Sequence, residues 1–185
     1  MQIKLILLDF DGTLASTEDA NMGAYLLALR EEGIELDTEE YRRRYFGMRC
    51  PEFLRELGIT NEEDIDRIRR RKSELYPTLF DSVHLNEPLW NFVQDFRAQG
   101  GKAWIVSTGQ KENIENVLNY LDIKDKVDGI LTSSDVREPK PSPEAFLKAM
   151  EIEGVTPAET LIFEDSPVGI AAAKASGAPY FKVKL

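Results

Sequence analysis

The stretch LILLDFDGTL, Leu5 to Leu14, restricts the possible folds of this chain more than any other. Ile3 to Leu8 is apolar apart from Lys4. A short continuous apolar run of Ile and Leu reads as a strand buried on both faces, as in a parallel sheet. The run ends in two carboxylates, Asp9 and Asp11, followed by Gly12 and Thr13. Gly12 permits a sharp turn after the strand. Open α/β sheets bind ligands outside the carboxyl ends of their strands, so acid chemistry is expected at this edge.

After Leu14 the apolar period changes. Met22, Tyr25, Leu26 and Leu29 recur at helical spacing, and Gly33 suits the C′ position of that helix. Asp37 or Thr38 is placed to cap a second helix running to Gly47, and Pro51 to Leu57 makes a third. Thr60 with Glu63 has capping-box spacing for a fourth, bearing Ile65, Ile68, Leu75 and Leu79. Its outer face offers the i,i+4 pairs Glu63–Arg67 and Asp66–Arg70. No strand-like run interrupts residues 15–82, which read as a helical insert. From Val83 onward helices alternate with apolar runs: strands at Ala103 to Val106, Gly129 to Leu131, Thr160 to Phe163 and Tyr180 to Val183. Ser142 with Pro143, and Thr156 with Pro157, read as helix starts. The alternation predicts an α/β fold, a Rossmann-like three-layer core with a parallel sheet over residues 1–14 and 83–185 and an inserted helical domain over 15–82.

Three of the strands end in polar groups: Asp9 and Asp11, Ser107 and Thr108 before Gly109, and Glu164 and Asp165. A parallel sheet collects all of them on one edge. Lys140 stands between Pro139 and Pro141, which stiffen the backbone around it. Four crowded carboxylates raise one another's pKa, and a hard divalent cation with oxygen ligands relieves the repulsion. Mg²⁺ is the expected cofactor, because it takes one or two carboxylates, waters and a substrate phosphate oxygen. A carboxylate can attack phosphorus, while a second protonates the leaving oxygen and then activates water. Asp9 and Asp11 suit these roles, with Ser107 and backbone N–H groups as donors to the phosphoryl oxygens.

DFDGTL (Asp9 to Leu14), IVSTG around Ser107, KPSPEAF (Lys140 to Phe146) and FEDSPVGIAAAKASG (Phe163 to Gly177) resemble, in order, the four motifs of the haloacid dehalogenase superfamily. The resemblance implies Asp9 as a phosphorylated nucleophile and Asp11 as general acid/base, its backbone carbonyl also touching the metal. It implies Asp9 and Asp165 as direct Mg²⁺ ligands, Glu164 in support, and Lys140 steadying Asp9 and the phosphoryl group. Gly12, Thr108 and Gly109 would lie at the phosphate. An insert directly after the first motif resembles the type I cap of phosphoglycolate phosphatase and β-phosphoglucomutase. FGMRCPEFL (Phe46 to Leu54) resembles its specificity loop, with Gly47 at the turn and Arg49 available to a substrate anion or hydroxyl.

The implied activity is a Mg²⁺-dependent phosphatase acting on a small phosphorylated metabolite. A sugar-phosphate mutase uses the same motifs, although Asn21 stands where the β-phosphoglucomutase group has His. A non-catalytic binding protein is a third class, and every catalytic side chain being present weighs against it. The net charge of -10 and pI near 4.7 disfavour nucleic acid or an anionic membrane as partner. Arg67 to Lys72 lies in an insert that is itself acidic, and reads as a solvated helix face. Cys50 alone forms no internal disulfide, no apolar run is long enough for a membrane helix, and the N-terminus lacks a signal-peptide pattern. A cytoplasmic monomer is expected. His84, the only histidine, leaves no His-based triad.

Overall fold

The computed structural model describes residues 2–46, 48 and 50–185. In chain order its strands and α-helices are β1 (Leu5–Leu8), β2 (Ala15–Ser16), α1 (Glu18–Glu31), α2 (Thr38–Arg44), α3 (Cys50–Glu56), α4 (Glu62–Leu75), β3 (His84–Leu85), α5 (Glu87–Ala98), β4 (Lys102–Val106), α6 (Lys111–Tyr120), β5 (Gly129–Leu131), α7 (Glu144–Glu153), β6 (Thr160–Glu164), α8 (Pro167–Ser176) and β7 (Tyr180–Lys182). The chain divides into two units. One runs up to Thr17 and resumes at His84–Leu185; the other is Glu18–Val83.

The first unit is built on a five-stranded sheet in the order β5-β4-β1-β6-β7, with every pair parallel. β1 is the middle strand. That position explains its unbroken apolarity: helices cover both faces, and Leu5, Ile6, Leu7 and Leu8 are each fully buried. Leu5, Leu7, Val106, Leu131 and Ile162 form one face and pack with Phe146 and Ala149 of α7 and Ala172 and Ala173 of α8. On the other face the Phe92 ring of α5 meets Phe163 of β6. The chain builds outward from β1 to β4 and β5, then crosses back to add β6 and β7 on the opposite side. The strand order therefore reverses at β1, and a crevice at its carboxyl end follows from the topology.

Residues 9–17 do not run straight into a helix. Gly12 N–H donates to Ala15 O at 2.9 Å, and the N–H groups of Leu14 and Ala15 donate to Phe10 O, each at 3.0 Å. The chain then pairs β2 with β3 in an antiparallel ribbon, Ala15 opposite Leu85 and Ser16 opposite His84. Asn86 fastens the turn with Nδ2 on Thr13 O at 3.0 Å and N–H on Leu14 O at 2.8 Å. The helical unit thus begins at Glu18 and ends at Val83, and residues 15–17 stay with the sheet. Two-residue strands carry no readable alternation, so sequence periodicity assigns them to the insert.

In the second unit Met22, Leu29, Tyr41, Tyr45, Phe53, Leu54, Ile65 and Ile68 form the core. The Tyr25, Tyr41 and Phe53 rings lie within 6.3 Å of one another, two of the three pairs edge to face. Asp37 caps α2 as expected, accepting from Glu39 N–H and Glu40 N–H. α4 differs in three ways from the sequence reading. Its cap is Asn61, whose side chain accepts from Glu63 N–H. It ends at Leu75 because Pro77 opens a 3₁₀ turn, Tyr76–Ser82, that carries Leu79. Arg67 pairs with Asp64 at i,i+3 and with Glu32 of α1, and Arg69 rather than Arg70 pairs with Asp66. Arg71 likewise reaches Glu31 of α1, so three arginines of the basic stretch, Arg67, Arg69 and Arg71, pair with acids of their own unit. In the first unit, Thr156 and Pro157 start only a three-residue 3₁₀ turn, because Thr160 already belongs to β6.

Candidate active site

The carboxyl ends of β1, β4 and β6 place Asp9, Ser107 and Glu164 side by side, since these strands are neighbours in register. Lys140 comes from the loop before α7 and is buried, with 7% of its surface exposed. The Lys140–Pro141 peptide is cis. The ammonium donates to Asp9 Oδ1 at 2.6 Å, Glu164 Oε1 at 2.6 Å and Val106 O at 2.8 Å. A lysine carries three hydrogens, and these three acceptors use them all. Lys140 therefore acts on this site through charge and through the orientation of the two carboxylates.

Glu164 is fully buried. Its second oxygen, Oε2, accepts from Ser166 N–H at 2.9 Å and Ser166 Oγ at 3.1 Å. The first turn of α8 closes over it: a Cβ on Gly169 would stand 1.6 Å from Oε1, so only glycine fits. Asp165 is half-buried. Thr13 Oγ1 donates to its Oδ1 at 3.2 Å, and a Cβ on Gly12 would stand 2.6 Å from its Oδ2. Gly12 is thus required twice, by its φ of +81° and by the approach of Asp165.

Asp9, Glu164 and Asp165 can each bring a carboxylate oxygen within 4.8 Å of the others. Three carboxylates against one ammonium leave two negative charges, which one divalent cation neutralises. Burial pushes the Asp9 carboxyl well above the usual carboxylate range; Lys140 pulls it back, while Glu164 and Asp11 add to the rise. Burial and Glu164 also raise Asp165 against the Thr13 hydrogen bond. Burial works against the Lys140 ammonium, yet Asp9 and Glu164 outweigh it and keep it charged. An all-oxygen donor set short of positive charge fits a hard divalent metal ion.

Asp11 lies apart from this cluster. Its side chain is exposed, its Oδ1 accepts from the Thr17 hydroxyl, and its Oδ2 faces Gly109, 3.4 Å from where a Cβ would stand. Ser107 is buried, and its Oγ accepts from Gly109 N–H at 3.0 Å. The exposed Thr108 accepts on its carbonyl from Ser133 Oγ at 3.2 Å. The N–H groups of Gly12 and Gly109 are both engaged within the fold, so these glycines contribute space rather than donors. Gly47 and Arg49 lie outside the described residues. Burial pushes the Cys50 thiol up against a hydrogen bond from Tyr25, in keeping with an unreactive side chain.

Three supporting groups escape the sequence reading: Thr13, Thr17 and Ser166. Thr13 and Ser166 lie inside the motifs, and their value as hydrogen-bond donors to neighbouring acids could have been argued there. Thr17 had no such signal, because its contact with Asp11 spans six residues and depends on the ribbon.

A family model described as haloacid dehalogenase-like hydrolase matches residues 6–183. The chain is 30% identical to the fructose-1-phosphate phosphatase YqaB of Escherichia coli (strain K12), over 97% of this chain and 96% of that protein. It is 29% identical to the phosphorylated carbohydrates phosphatase of Thermotoga maritima, over 95% of this chain and 82% of that protein. The crystal structure of CbbY from Rhodobacter sphaeroides in complex with phosphate shares the fold with a TM-score of 0.86 and 25% identity, covering 100% of this chain and 87% of that one. From its central strand to its last, this chain belongs to the haloacid dehalogenase-like hydrolases.

Proposed function

We propose that this hydrolase removes the phosphoryl group from a small phosphorylated sugar in a Mg²⁺-dependent reaction through a phosphorylated Asp9. The observation that carries the reading is the buried Lys140, bridging Asp9 and Glu164 beside Asp165 at the crevice of a parallel sheet. Asp9 is the nucleophile, oriented by the Lys140 ammonium on its Oδ1. Mg²⁺ would be held by Asp9 and Asp165, with Glu164 in support, and would supply positive charge for the phosphoryl oxygens. The Ser107 oxygen already accepts from Gly109 N–H, so its own hydrogen is directed to a phosphoryl oxygen. Asp11 protonates the sugar oxygen as it leaves, then takes a proton from the water that hydrolyses the aspartyl phosphate. The sugar-phosphate class is supported by the names of the Escherichia coli and Thermotoga relatives.

The test is release of inorganic phosphate from a panel of sugar phosphates, phosphoglycolate, nucleotides and an aryl phosphate. The panel is run with Mg²⁺, with chelator, and with Asp9→Asn. Release that needs Mg²⁺, disappears in the variant and is fastest on a sugar phosphate is the expected result. Transfer of phosphate between two positions of a sugar, with none released, would replace hydrolysis by a mutase. No turnover of any compound by folded, Mg²⁺-binding protein would reject an enzymatic reading.

A further inference from the structure

We propose that this chain forms a twofold dimer in which α5 of each copy covers the open face of β6 and β7 in the other. Burial along β6 alternates: Thr160, Ile162 and Glu164 are buried, and Leu161 and Phe163 are half-buried. β1 beside it is buried at every position. The register sets Leu161 and Phe163 next to Ile6 and Leu8, and Phe181 of β7 next to Phe163, so all of them share the face that α5 serves. α7 and α8 close the opposite face. On the α5 side the cover reaches β1 and stops. Ile6 and Leu8 are fully buried, whereas Phe181 is 59% exposed and Phe92, on the near flank of α5, 49%. The three rings are contiguous: Phe163 stacks on Phe181 with centroids 5.7 Å apart and meets Phe92 edge to face at 6.0 Å. With Leu161 and Val183 they leave about 300 Å² of apolar surface open, the size of the largest patch on an ordinary monomer.

The shape favours a second copy as the occupant. A sheet covered by a helix over only part of one face presents a step one helix high. A twofold axis along the strands, through the groove beside Phe92, joins two such steps so that each α5 fills the place left open on the other sheet. One surface is then used twice, as a closed twofold contact requires. Charge agrees. Asp95 lies one turn beyond Phe92 on α5, and Lys182 and Lys184 lie along β7; all three are exposed, and none is in an ion pair among the described residues. The lysines alternate with Phe181 and Val183 and so leave β7 from its other face, but their stems are long enough to bring the ammonium groups round an edge strand. The axis brings the acid of one copy to the lysines of the other. Pairing two β7 edges into one continuous sheet is the competing contact, and the same lysines oppose it, because antiparallel pairing sets lysine against lysine. The two copies hide about 600 Å² of apolar surface, and with a polar rim the contact reaches about 1,200 Å², the lower end of stable interfaces.

Sedimentation velocity of the full chain from about 2 to 200 µM reads the dimer directly. The parent should pass from monomer to dimer within this range. Phe181→Asp and Phe92→Asp should each raise Kd about 30-fold or more, as loss of a central aromatic anchor does. Ile152→Asp, on α7 and 53% exposed, should leave Kd at the parent value. Asp95→Lys should raise Kd about 5- to 20-fold, and adding Lys182→Glu and Lys184→Glu should restore most of the loss. Circular dichroism and Tm verify that each variant is folded, and Phe181→Ser serves the same comparison if Phe181→Asp is not. A parent that stays monomeric throughout would overturn the proposal and leave the face to a different partner. So would a dimer that survives both phenylalanine variants, one that Ile152→Asp weakens equally, or a charge-reversed triple variant no tighter than Asp95→Lys alone.

Discussion

Replacing Gly12 with alanine should damage the site in a way that an equally strained glycine elsewhere does not. Gly12 has φ +81°, and Gly154 at the end of α7 has φ +64°. An alanine at either position sits in the left-handed region, which costs about 1–2 kcal/mol. The surroundings differ. Nothing lies within 4 Å of a Cβ on Gly154, whereas on Gly12 it would stand 2.6 Å from Asp165 Oδ2 and 3.1 Å from its Cγ. The carboxylate must move by about 0.5–1 Å to reach ordinary contact distance. That movement breaks the 3.2 Å bond from Thr13 Oγ1 and displaces one of the three clustered acids. Its loss adds about 1.5 kcal/mol to the strain. Gly154→Ala should lower Tm by about 2–8 °C, and Gly12→Ala by about 5–14 °C. The sharper difference lies in the metal. Mg²⁺ affinity, read by calorimetry or by the Mg²⁺-dependent rise in Tm, should fall about 10- to 100-fold in Gly12→Ala and stay at the parent value in Gly154→Ala. A Gly12→Ala protein that binds Mg²⁺ like the parent, or melts with Gly154→Ala, would refute the reasoning that Gly12 makes room for Asp165.

Lys140→Met removes the charge between two buried carboxylates while keeping most of the volume, and should cost about 3–5 kcal/mol in denaturant unfolding at neutral pH; added Mg²⁺ should recover part of that loss, and a variant as stable as the parent without metal would count against the bridge. Gly169→Ala would force a Cβ to 1.6 Å from Glu164 Oε1 and should destabilise by more than about 3 kcal/mol, seen as a collapse of soluble yield and Tm, whereas a change below about 1 kcal/mol would contradict the packing of α8 on Glu164. Asp128 gives a pH test away from the site. Burial raises its carboxyl, but hydrogen bonds from Arg97 at 2.8 Å, Ala103 N–H at 2.9 Å and Lys102 at 3.0 Å together hold it down to about 2. Since the folded value lies below the unfolded one, the stabilisation is complete above about pH 4 and is lost as pH falls towards 2. After allowance for solvent screening it amounts to about 1–2 kcal/mol. Unfolding curves of the parent and Asp128→Asn should therefore differ at pH 7 and converge near pH 2, and a constant difference would refute the assignment.

The sequence by itself determined the parallel sheet and the acids along its edge. β1 is legible because a strand covered on both faces must be apolar at every position, and Leu5 to Leu8 meet that condition. Asp9, Ser107 and Glu164 follow from it, since strands that run parallel must end on the same side. What the tertiary structure decided is how each acid is held. No spacing shows that Lys140 would have all three hydrogens occupied, or that the backbone of α8 would press so close to Glu164 that Gly169 must lack a side chain. The ribbon that keeps residues 15–17 with the sheet is equally silent in sequence, because two-residue strands have no period and their partners lie almost 70 residues away. Local patterns record burial along one element. The contact of Thr13 with Asp165 arises only when elements distant in sequence are packed, and that of Thr17 with Asp11, six residues apart, rests on the ribbon formed by residues 15 and 16 with residues 84 and 85.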